Sequence, residues 1–171
     1  RDGRVSGERL SHVLAQGVIQ AGVDVIDVGM VPTPVVYFAS RHLGTGAGIA
    51  VTGSHNPPQH NGLKMMLAGE TLYGERIVGL YERIVSQALY SASQKGRITQ
   101  INVLPDYLDA IQADVQLVRP MKVAIDCGRG VGGVAAMDVF TRLGCDVTPL
   151  FCEVDGTFPN HHPDPADPHN L

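Results

Sequence analysis

The sequence predicts an α/β fold made of two consecutive modules, residues 1–95 and 96–171. Short β-branched and apolar segments alternate with amphipathic segments of helical period, which is the pattern of α/β units. A polar stretch of mainly small residues, 91–97, interrupts this alternation and is typical of a linker. After the linker, the order strand, helix, strand predicts a βαβ unit with a right-handed crossover. We expect both modules to be incomplete, because the sequence opens without a methionine and stops just after a proline-rich stretch.

The first module opens with a predicted helix whose ends are marked by Ser6 and Gly22. A serine hydroxyl at the N-cap can accept a hydrogen bond from a free backbone amide, and glycine adopts the left-handed turn that ends many helices. The β-branched segment 23–28 follows as a strand. Pro34 then begins a second helix, expected to run to about residue 42, because proline is favoured in the first helical turn.

Two apolar strands, 47–52 and 62–67, flank a polar loop over residues 53–61. The segment 75–89 closes the first module as a helix, since its apolar residues fall on one face at helical spacing. The same patterns predict the elements of the second module, which are a helix over 105–118, a strand over 121–126, a helix over 131–143 and a strand over 146–151.

The composition excludes several classes of protein. Hydrophobic residues make up 44% of the 171 residues and charged residues 18%, which is typical of a packed globular chain rather than a disordered one. No apolar run is long enough to cross a bilayer, and a net charge of −4 without a basic tract argues against nucleic acid or membrane as a partner. The three cysteines lack zinc-site spacing and are odd in number, so we expect idle thiols in a reducing, cytoplasmic compartment.

The densest cluster of polar residues lies in the loop that follows the strand 47–52. Its sequence is T-G-S-H-N-P-P over residues 52–58. Ligands of open α/β sheets bind just beyond the carboxyl ends of strands. Gly53 permits unusual backbone angles and the prolines stiffen the exit. The loop can therefore hold the hydroxyl group of Ser54 in a fixed, exposed position.

Three interpretations of Ser54 are open on the residues alone. One is a serine hydrolase with His55 as base, which is disfavoured because adjacent side chains in an extended loop diverge and no G-x-S-x-G elbow is present. Another is that Ser54, His55 and Asn56 only form turn hydrogen bonds. The third is a serine that carries a phosphoryl group, and the wider sequence pattern favours it.

The run T-G-S-H-N-P over residues 52–57 resembles the active-serine signature of the α-D-phosphohexomutase superfamily. Four further motifs resemble this family and follow its order. They are R-D-G-R-V-S-G at 1–7, G-M-V-P-T-P at 29–34, N-G-L-K at 61–64 and V-D-G-T-F-P-N-H-H-P-D-P at 154–165. The residues T-G-S at 52–54, rather than the S-A-S typical of phosphoglucosamine mutases, favour the phosphomannomutase/phosphoglucomutase branch.

The resemblance implies a fold, an activity and a cofactor. The modules would be mixed α/β sandwiches, namely part of the first domain of such an enzyme and the start of its second. The enzyme would interconvert hexose 1-phosphate and hexose 6-phosphate, of mannose, glucose or both, through a phosphoserine and a hexose 1,6-bisphosphate intermediate that also serves as activator. Its cofactor would be Mg²⁺. A phosphoglucosamine mutase and a non-catalytic phosphosugar-binding module stay open as alternatives, and the oligomeric state is not predicted.

The resemblance also implies which residues form the site. The catalytic residues would be Ser54, His55 and Lys64, and Ser54 would ligate the metal through its phosphoryl group. Residues for binding substrate or phosphate would be Arg4, Asn56 and Asn61. The D-G-D-G-D-R metal loop of the family does not occur in this sequence. We therefore expect the other metal ligands to be absent from it and the 171-residue chain alone to have negligible turnover.

Elementary charge chemistry agrees with these roles. A phosphoserine carries roughly −1.5 to −2 charges at neutral pH, and the ammonium group of Lys64 is a point charge suited to a mobile phosphoryl group. On the residues alone, His55 can act as a general acid or base, donate to phosphate, or stabilise the turn. Arg4 can hold the loop, bind phosphate, or form a surface ion pair.

Two other clusters are weaker candidates. The run G-R-G-V-G-G at 128–133 has the spacing of a dinucleotide fingerprint, but no acidic residue ends the following strand, and the resemblance implies a structural turn. A proline-rich segment without helical or hairpin spacing carries four possible metal ligands, His161, His162, Asp164 and Asp167. We interpret these side chains as loop polarity rather than as a metal site.

Overall fold

The computed structural model describes residues 1–170, in which strands and helices alternate as the sequence predicts. The helices are α1 (Gly7–Gln20), α2 (Thr33–His42), α3 (Glu75–Val85), α4 (Leu104–Asp114) and α5 (Ala136–Arg142). The strands are β1 (Val25–Asp27), β2 (Gly48–Val51), β3 (Leu63–Leu67), β4 (Glu70–Thr71), β5 (Ile98–Gln100), β6 (Lys122–Asp126) and β7 (Asp146–Leu150). Short 3-10 turns lie at Val131–Val134 and Pro168–Asn170.

The described strands form three small sheets. Strands β1 and β5 pair in parallel, β2, β3 and β4 form an antiparallel sheet in that order, and β6 and β7 pair in parallel. Parallel and antiparallel pairs together confirm the predicted mixed α/β class. The predicted βαβ unit is present as β6, α5 and β7, and α5 contacts both strands.

Strand β5 lies beyond the predicted linker, yet it pairs with β1 near the start of the chain. Ile98 of β5 is opposite Val25 of β1. The hydrophobic core also combines residues from both sides of the linker, because Val103 is fully buried against α2. The buried members of this core are Val31, Val35, Val36, Ala39, Ala50 and Val103. The two sides of the linker therefore share packing, and the boundary between residues 95 and 96 stays a prediction.

The predicted helix over 131–143 is wrong at its start. The first turn is a 3-10 turn, and α5 begins only at Ala136. Two adjacent glycines disfavour an α-helix here, since each loses more conformational freedom on folding than any other residue. Gly133 also passes very close to the next loop: a Cβ atom there would lie 1.8 Å from the carbonyl oxygen of Cys152. Packing against that loop requires glycine and overrides the helical pattern.

The predicted capping role of Ser6 is wrong. Its backbone already has helical angles, and its hydroxyl makes no hydrogen bond to the first turn of α1. Instead, the Ser6 hydroxyl accepts a hydrogen bond of 3.0 Å from Nδ2 of Asn61. Ser6 therefore connects the start of α1 to the polar loop.

Helices α3 and α4 end before the predicted residues 89 and 118. After α3, Gln87 adopts a φ of +55°, which reverses the chain, and after α4 the backbone of Val115 is extended. The apolar face of α3 is present as predicted, but it is exposed. Its residues Ile77, Leu80, Tyr81 and Ile84 are 39% to 65% exposed. No helix among residues 1–170 is long and apolar enough to span a membrane.

Candidate active site

The polar loop crosses from β2 to β3, and this antiparallel pairing brings Ser54 and Lys64 together. Val51 is opposite Leu63, so Lys64 lies near the same end of the sheet as the loop. The ammonium nitrogen of Lys64 donates to the hydroxyl oxygen of Ser54 at 3.4 Å. Both side chains are exposed. The structure thus places two of the predicted catalytic residues in direct contact at the surface.

Ser54 has an unusual backbone conformation. Its φ of +54° lies in the left-handed region, which residues other than glycine seldom adopt. The amide of Ser54 donates a hydrogen bond of 2.9 Å to the hydroxyl oxygen of Thr52, which is itself buried. Such conformations persist only where the surroundings enforce them, and they are frequent at active sites.

Arg4 lies beneath the loop and holds its backbone. The side chain is 1% exposed, and its two terminal nitrogens donate to four carbonyl oxygens of the loop. Nη1 donates to Pro57 at 2.7 Å and to His60 at 3.0 Å, while Nη2 donates to Ser54 at 2.8 Å and to Asn56 at 2.7 Å. The planar guanidinium thereby fixes the loop over seven residues, from 54 to 60. A surface ion pair is excluded for Arg4, and this geometry favours holding the loop over binding phosphate.

Asp2 offsets the charge of Arg4 and pins the start of the loop. Its Oδ2 lies 3.3 Å from Nε of Arg4 and also accepts a hydrogen bond of 3.3 Å from the amide of Gly53. Its Oδ1 accepts from the amide of Arg4 at 3.1 Å. Asp2 is also buried, so the pair is a buried ion pair with further hydrogen bonds, the arrangement that makes such pairs tolerable.

Gly53 is required by the close approach of Arg4. A Cβ atom at this position would lie 2.5 Å from Cζ of Arg4 and 2.6 Å from the carbonyl oxygen of His60. Both distances are far below van der Waals contact. The glycine of the T-G-S run therefore makes room for the arginine beneath the loop.

The two asparagines of the predicted site make structural contacts. Nδ2 of Asn56 donates to the carbonyl oxygen of Gly53 at 2.9 Å, which closes the turn around Ser54. Oδ1 of Asn61 accepts from the amide of Gly62 at 2.9 Å, and its Nδ2 is bound to Ser6. His55 is exposed next to Ser54. The substrate-binding roles of both asparagines and the catalytic role of His55 stay predictions.

A segment from the second module, residues 154–158, packs against the residues that carry Arg4. The aromatic ring of Phe158 lies over the Arg4 guanidinium, with Cζ 5.2 Å from the ring centre. The backbones are in close contact as well, because a Cβ atom on Gly156 would lie 2.3 Å from the carbonyl oxygen of Gly3. The sequence interpretation did not find the roles of Asp2, Thr52 or Phe158. Gly3 and Gly156, each next to an aspartate in the sequence, mark the close backbone contact and are the signal that was available.

Comparison with known proteins finds two family models that match this chain. Residues 1–90 match the family model for phosphoglucomutase/phosphomannomutase, alpha/beta/alpha domain I, and residues 105–171 match that for alpha/beta/alpha domain II. The chain belongs to the phosphoglucomutase/phosphomannomutase family. This confirms the resemblance found in the sequence motifs.

Relatives of known name agree with this membership. A phosphomannomutase/phosphoglucomutase of Pseudomonas aeruginosa is 53% identical over 100% of this chain and 36% of its own length. A phosphoglucomutase of Neisseria meningitidis serogroup B is 48% identical over 100% of this chain and 37% of its own length. The crystal structure of a phosphoglucomutase/phosphomannomutase family protein from Burkholderia thailandensis matches with a TM-score of 0.94 at 50% identity, covering 100% of this chain and 39% of that one. The chain therefore spans little more than a third of the length of these relatives.

The magnesium ion implied by the resemblance finds few ligands in the described residues. No group of three or more His, Cys, Asp or Glu side chains that could hold a metal occurs among them. The carboxylate of Asp2, which contacts the loop, is buried and already bound to Arg4 and Gly53. These residues fit the ion only through the phosphoryl oxygens of a phosphorylated Ser54. The described residues of this chain, without a phosphorylated Ser54, therefore do not hold the ion by themselves.

At the glycine-rich turn 128–133, the weaker candidate for a nucleotide site, the side chain of His161 packs against the turn. Gly128 has a φ of +51°, and a Cβ atom there would lie 2.9 Å from the ring of His161. Oδ1 of Asp126 lies 3.4 Å from Nε2 of His161. The pKa of His161 is raised, first by the hydrogen bond with the carbonyl of His162 and then by Asp126. Packing and local hydrogen bonds thus account for this turn, as the resemblance implies.

The contact between Phe158 and Arg4 gives a prediction. Replacing Phe158 with leucine removes the ring over the guanidinium. The free energy of local opening of the loop 53–62 should therefore fall by about 1 kcal/mol. Amides of the loop 53–62 should then exchange with solvent roughly fivefold faster, since exchange reports local opening. Hydrogen–deuterium exchange with mass spectrometry measures this change.

Phe151 provides a matched control for this variant. It lies over the guanidinium of Arg129 at 5.9 Å and shares the positive φ of Phe158, but it does not contact Arg4. Phe151→Leu should leave exchange of the loop 53–62 unchanged. Equal acceleration in both variants would show a general loosening and contradict a specific role for Phe158.

Proposed function

We propose that the whole protein interconverts hexose 1-phosphate and hexose 6-phosphate, of mannose, glucose or both, with Ser54 as the phosphoryl carrier. The observation that supports this most is the exposed Ser54 hydroxyl on a rigid loop, 3.4 Å from the ammonium group of Lys64. A serine held in this way can receive and release a phosphoryl group without moving the backbone. The names of the relatives, which include both phosphomannomutase and phosphoglucomutase, support the same reaction class.

Lys64 would offset the negative charge that Ser54 acquires on phosphorylation. The phosphoryl group adds roughly −1.5 to −2 charges at neutral pH, and the sheet pairing of Lys64 keeps its ammonium group beside the phosphoryl oxygens. In a loose phosphoryl-transfer transition state this charge is spread over those oxygens. The lysine therefore stabilises both the phosphoserine and the transfer step.

The reaction consists of two transfers. In the first, the bond between Ser54 Oγ and phosphorus breaks, and the phosphorus bonds to the free hydroxyl oxygen of the sugar monophosphate. The proton of that hydroxyl leaves to a base, for which His55, exposed and next to Ser54 in the chain, is a candidate. Ser54 Oγ takes up a proton as it leaves the phosphorus. The resulting bisphosphate turns round in the site and transfers its other phosphoryl group to Ser54, whose hydroxyl proton passes to the sugar oxygen that is released. A bound Mg²⁺ would supply additional charge neutralisation.

The interconversion assay tests this proposal directly. The whole protein is incubated with glucose 1-phosphate or mannose 1-phosphate, Mg²⁺ and the corresponding bisphosphate, and formation of the 6-phosphate is measured. Peptide mass spectrometry of the same sample should find one phosphoryl group on Ser54. A protein that binds these sugars without turnover or phosphoserine would instead be the phosphosugar-binding module, and turnover of glucosamine phosphate alone would indicate a phosphoglucosamine mutase.

We also propose a cytoplasmic location for this protein. A phosphosugar substrate and three free cysteines support it.

A further inference from the structure

Two of the three cysteines lie side by side at the carboxyl ends of a pair of strands. Cys127 directly follows β6, and Cys152 follows β7. The thiol of Cys152 points at the sulfur of Cys127, with 3.2 Å between the two sulfur atoms. Both residues are half-buried and both are free thiols. The third cysteine, Cys145, precedes β7 at the opposite end of that strand.

The backbone holds this pair in place. The amide of Cys127 donates to the carbonyl oxygen of Leu150 at 3.0 Å, which continues the pairing of β6 with β7. The carbonyl of Cys152 is packed against Gly133, where no side chain fits. A disulfide requires the sulfur atoms at about 2.05 Å, so the two atoms must approach by only about 1.2 Å, which small side-chain rotations can supply.

We propose that Cys127 and Cys152 form a redox-reactive thiol pair, which low-molecular-weight disulfides such as oxidised glutathione convert into an intramolecular disulfide. This proposal is independent of the phosphohexomutase activity. In a reducing compartment the pair stays reduced, and it oxidises when small disulfides accumulate.

The chemistry consists of two thiol–disulfide exchanges. Either thiolate can make the first attack, and the raised pKa of Cys127, caused first by burial and then by the hydrogen bond with Cys152, favours Cys152 as the attacker. Its thiolate bonds to one sulfur of the reagent and releases one thiolate, leaving a mixed disulfide on Cys152. The thiolate of Cys127 then attacks Cys152 Sγ and releases the second. One small disulfide is thereby reduced to two thiols, which take up the two protons lost by the cysteines.

The disulfide would tether residues 152–158 to the end of β6. This segment ends at Phe158, whose ring lies over Arg4, the residue that holds the loop of Ser54. Cross-linking Cys152 to Cys127, just after β6, closes a chain loop of about 25 residues and restricts the unfolded state, which raises stability. The oxidised chain should therefore unfold at a higher temperature than the reduced chain.

The test exposes the reduced whole protein to oxidised glutathione and follows intact mass and tryptic peptides. Among the three cysteines of this sequence, we expect a Cys127–Cys152 linked peptide pair and a free Cys145. Cys145→Ser is the matched control, and it should form the same bond with the same rise in Tm. Cys127→Ser should accumulate a mixed disulfide on Cys152, and neither Cys127→Ser nor Cys152→Ser should form the internal bond.

The result for the wild-type protein decides the proposal, even if one of the variants does not fold. A linked Cys127–Cys152 peptide with Cys145 free establishes the pair. Equal loss of all three thiols, a mixed disulfide that persists on the wild-type chain, or three unreacted thiols would each overturn the proposal.

Discussion

Replacing Ser54 with alanine is expected to abolish sugar phosphate interconversion, with kcat reduced by on the order of 10⁴-fold or more. The reason is that alanine has no oxygen to carry the phosphoryl group between the two transfers, and no neighbouring hydroxyl replaces it on the loop. The buried Thr52 hydroxyl is already bound to the amide of residue 54. The loss should appear in kcat and in the absence of phosphate from the loop peptide.

The fold should survive this change. The Ser54 side chain is exposed, and its contact in the structure is with Lys64. Serine and alanine pay a similar cost for a positive φ, so the free energy of unfolding should change by less than about 1 kcal/mol. Ser93→Ala in the exposed linker is the control and should keep full activity and full phosphorylation. An active Ser54→Ala enzyme would contradict the carrier role.

The order of elements could be predicted because hydrophobic periodicity is a local signal. Helices α1 and α2, the strands on either side of the loop, and the βαβ unit all follow from the spacing of apolar residues. Strands β4 and β5 could not be found in this way. Strand β4 is a two-residue exposed strand after a turn made by Ala68 and Gly69 at positive φ, and all three residues of β5 are exposed. Their existence depends on pairing partners, which no single segment reveals.

The contact between Ser54 and Lys64 could be predicted from the sequence, whereas the way in which Arg4 supports the loop could not be chosen among the open alternatives. Ser54 and Lys64 are marked by motifs, and their contact follows from the antiparallel pairing of two adjacent strands. From the residues alone, Arg4 could hold the loop, bind phosphate or form a surface ion pair, and arginine is almost never fully buried without a partner. Its burial depends on Asp2 and on four carbonyl groups some fifty residues away along the chain. Such tertiary hydrogen bonds leave no periodic trace in the sequence.

Replacing Arg4 with lysine should have the largest effect on the loop itself. Lysine keeps the positive charge beside Asp2, but its single ammonium group has three donors and cannot serve four carbonyls and the Asp2 carboxylate at once. At least one part-buried carbonyl loses its partner, and the geometry of the others worsens. We expect the free energy of unfolding to fall by about 2–4 kcal/mol, since each unsatisfied buried group costs about 1–3 kcal/mol.

The consequence for function follows from the position of Ser54 in the supported segment. When its carbonyl is released from Nη2, the left-handed backbone at Ser54 is no longer enforced, and the hydroxyl loses its fixed position next to Lys64. Arg4→Lys should therefore lower kcat more than it raises KM, because positioning of the carrier matters most in the transfer step. Exchange of the amides in the loop 53–62 should accelerate in parallel.

Arg9→Lys is the matched control for this change. Arg9 lies in α1, only five positions along the chain, but it is exposed. The same substitution there should change stability by less than about 0.5 kcal/mol and leave loop exchange and kcat unaltered. If Arg4→Lys behaved like Arg9→Lys in all three measurements, the four hydrogen bonds beneath the loop would not be what holds Ser54. If only stability fell while kcat and loop exchange stayed constant, Arg4 would support the fold without positioning the carrier.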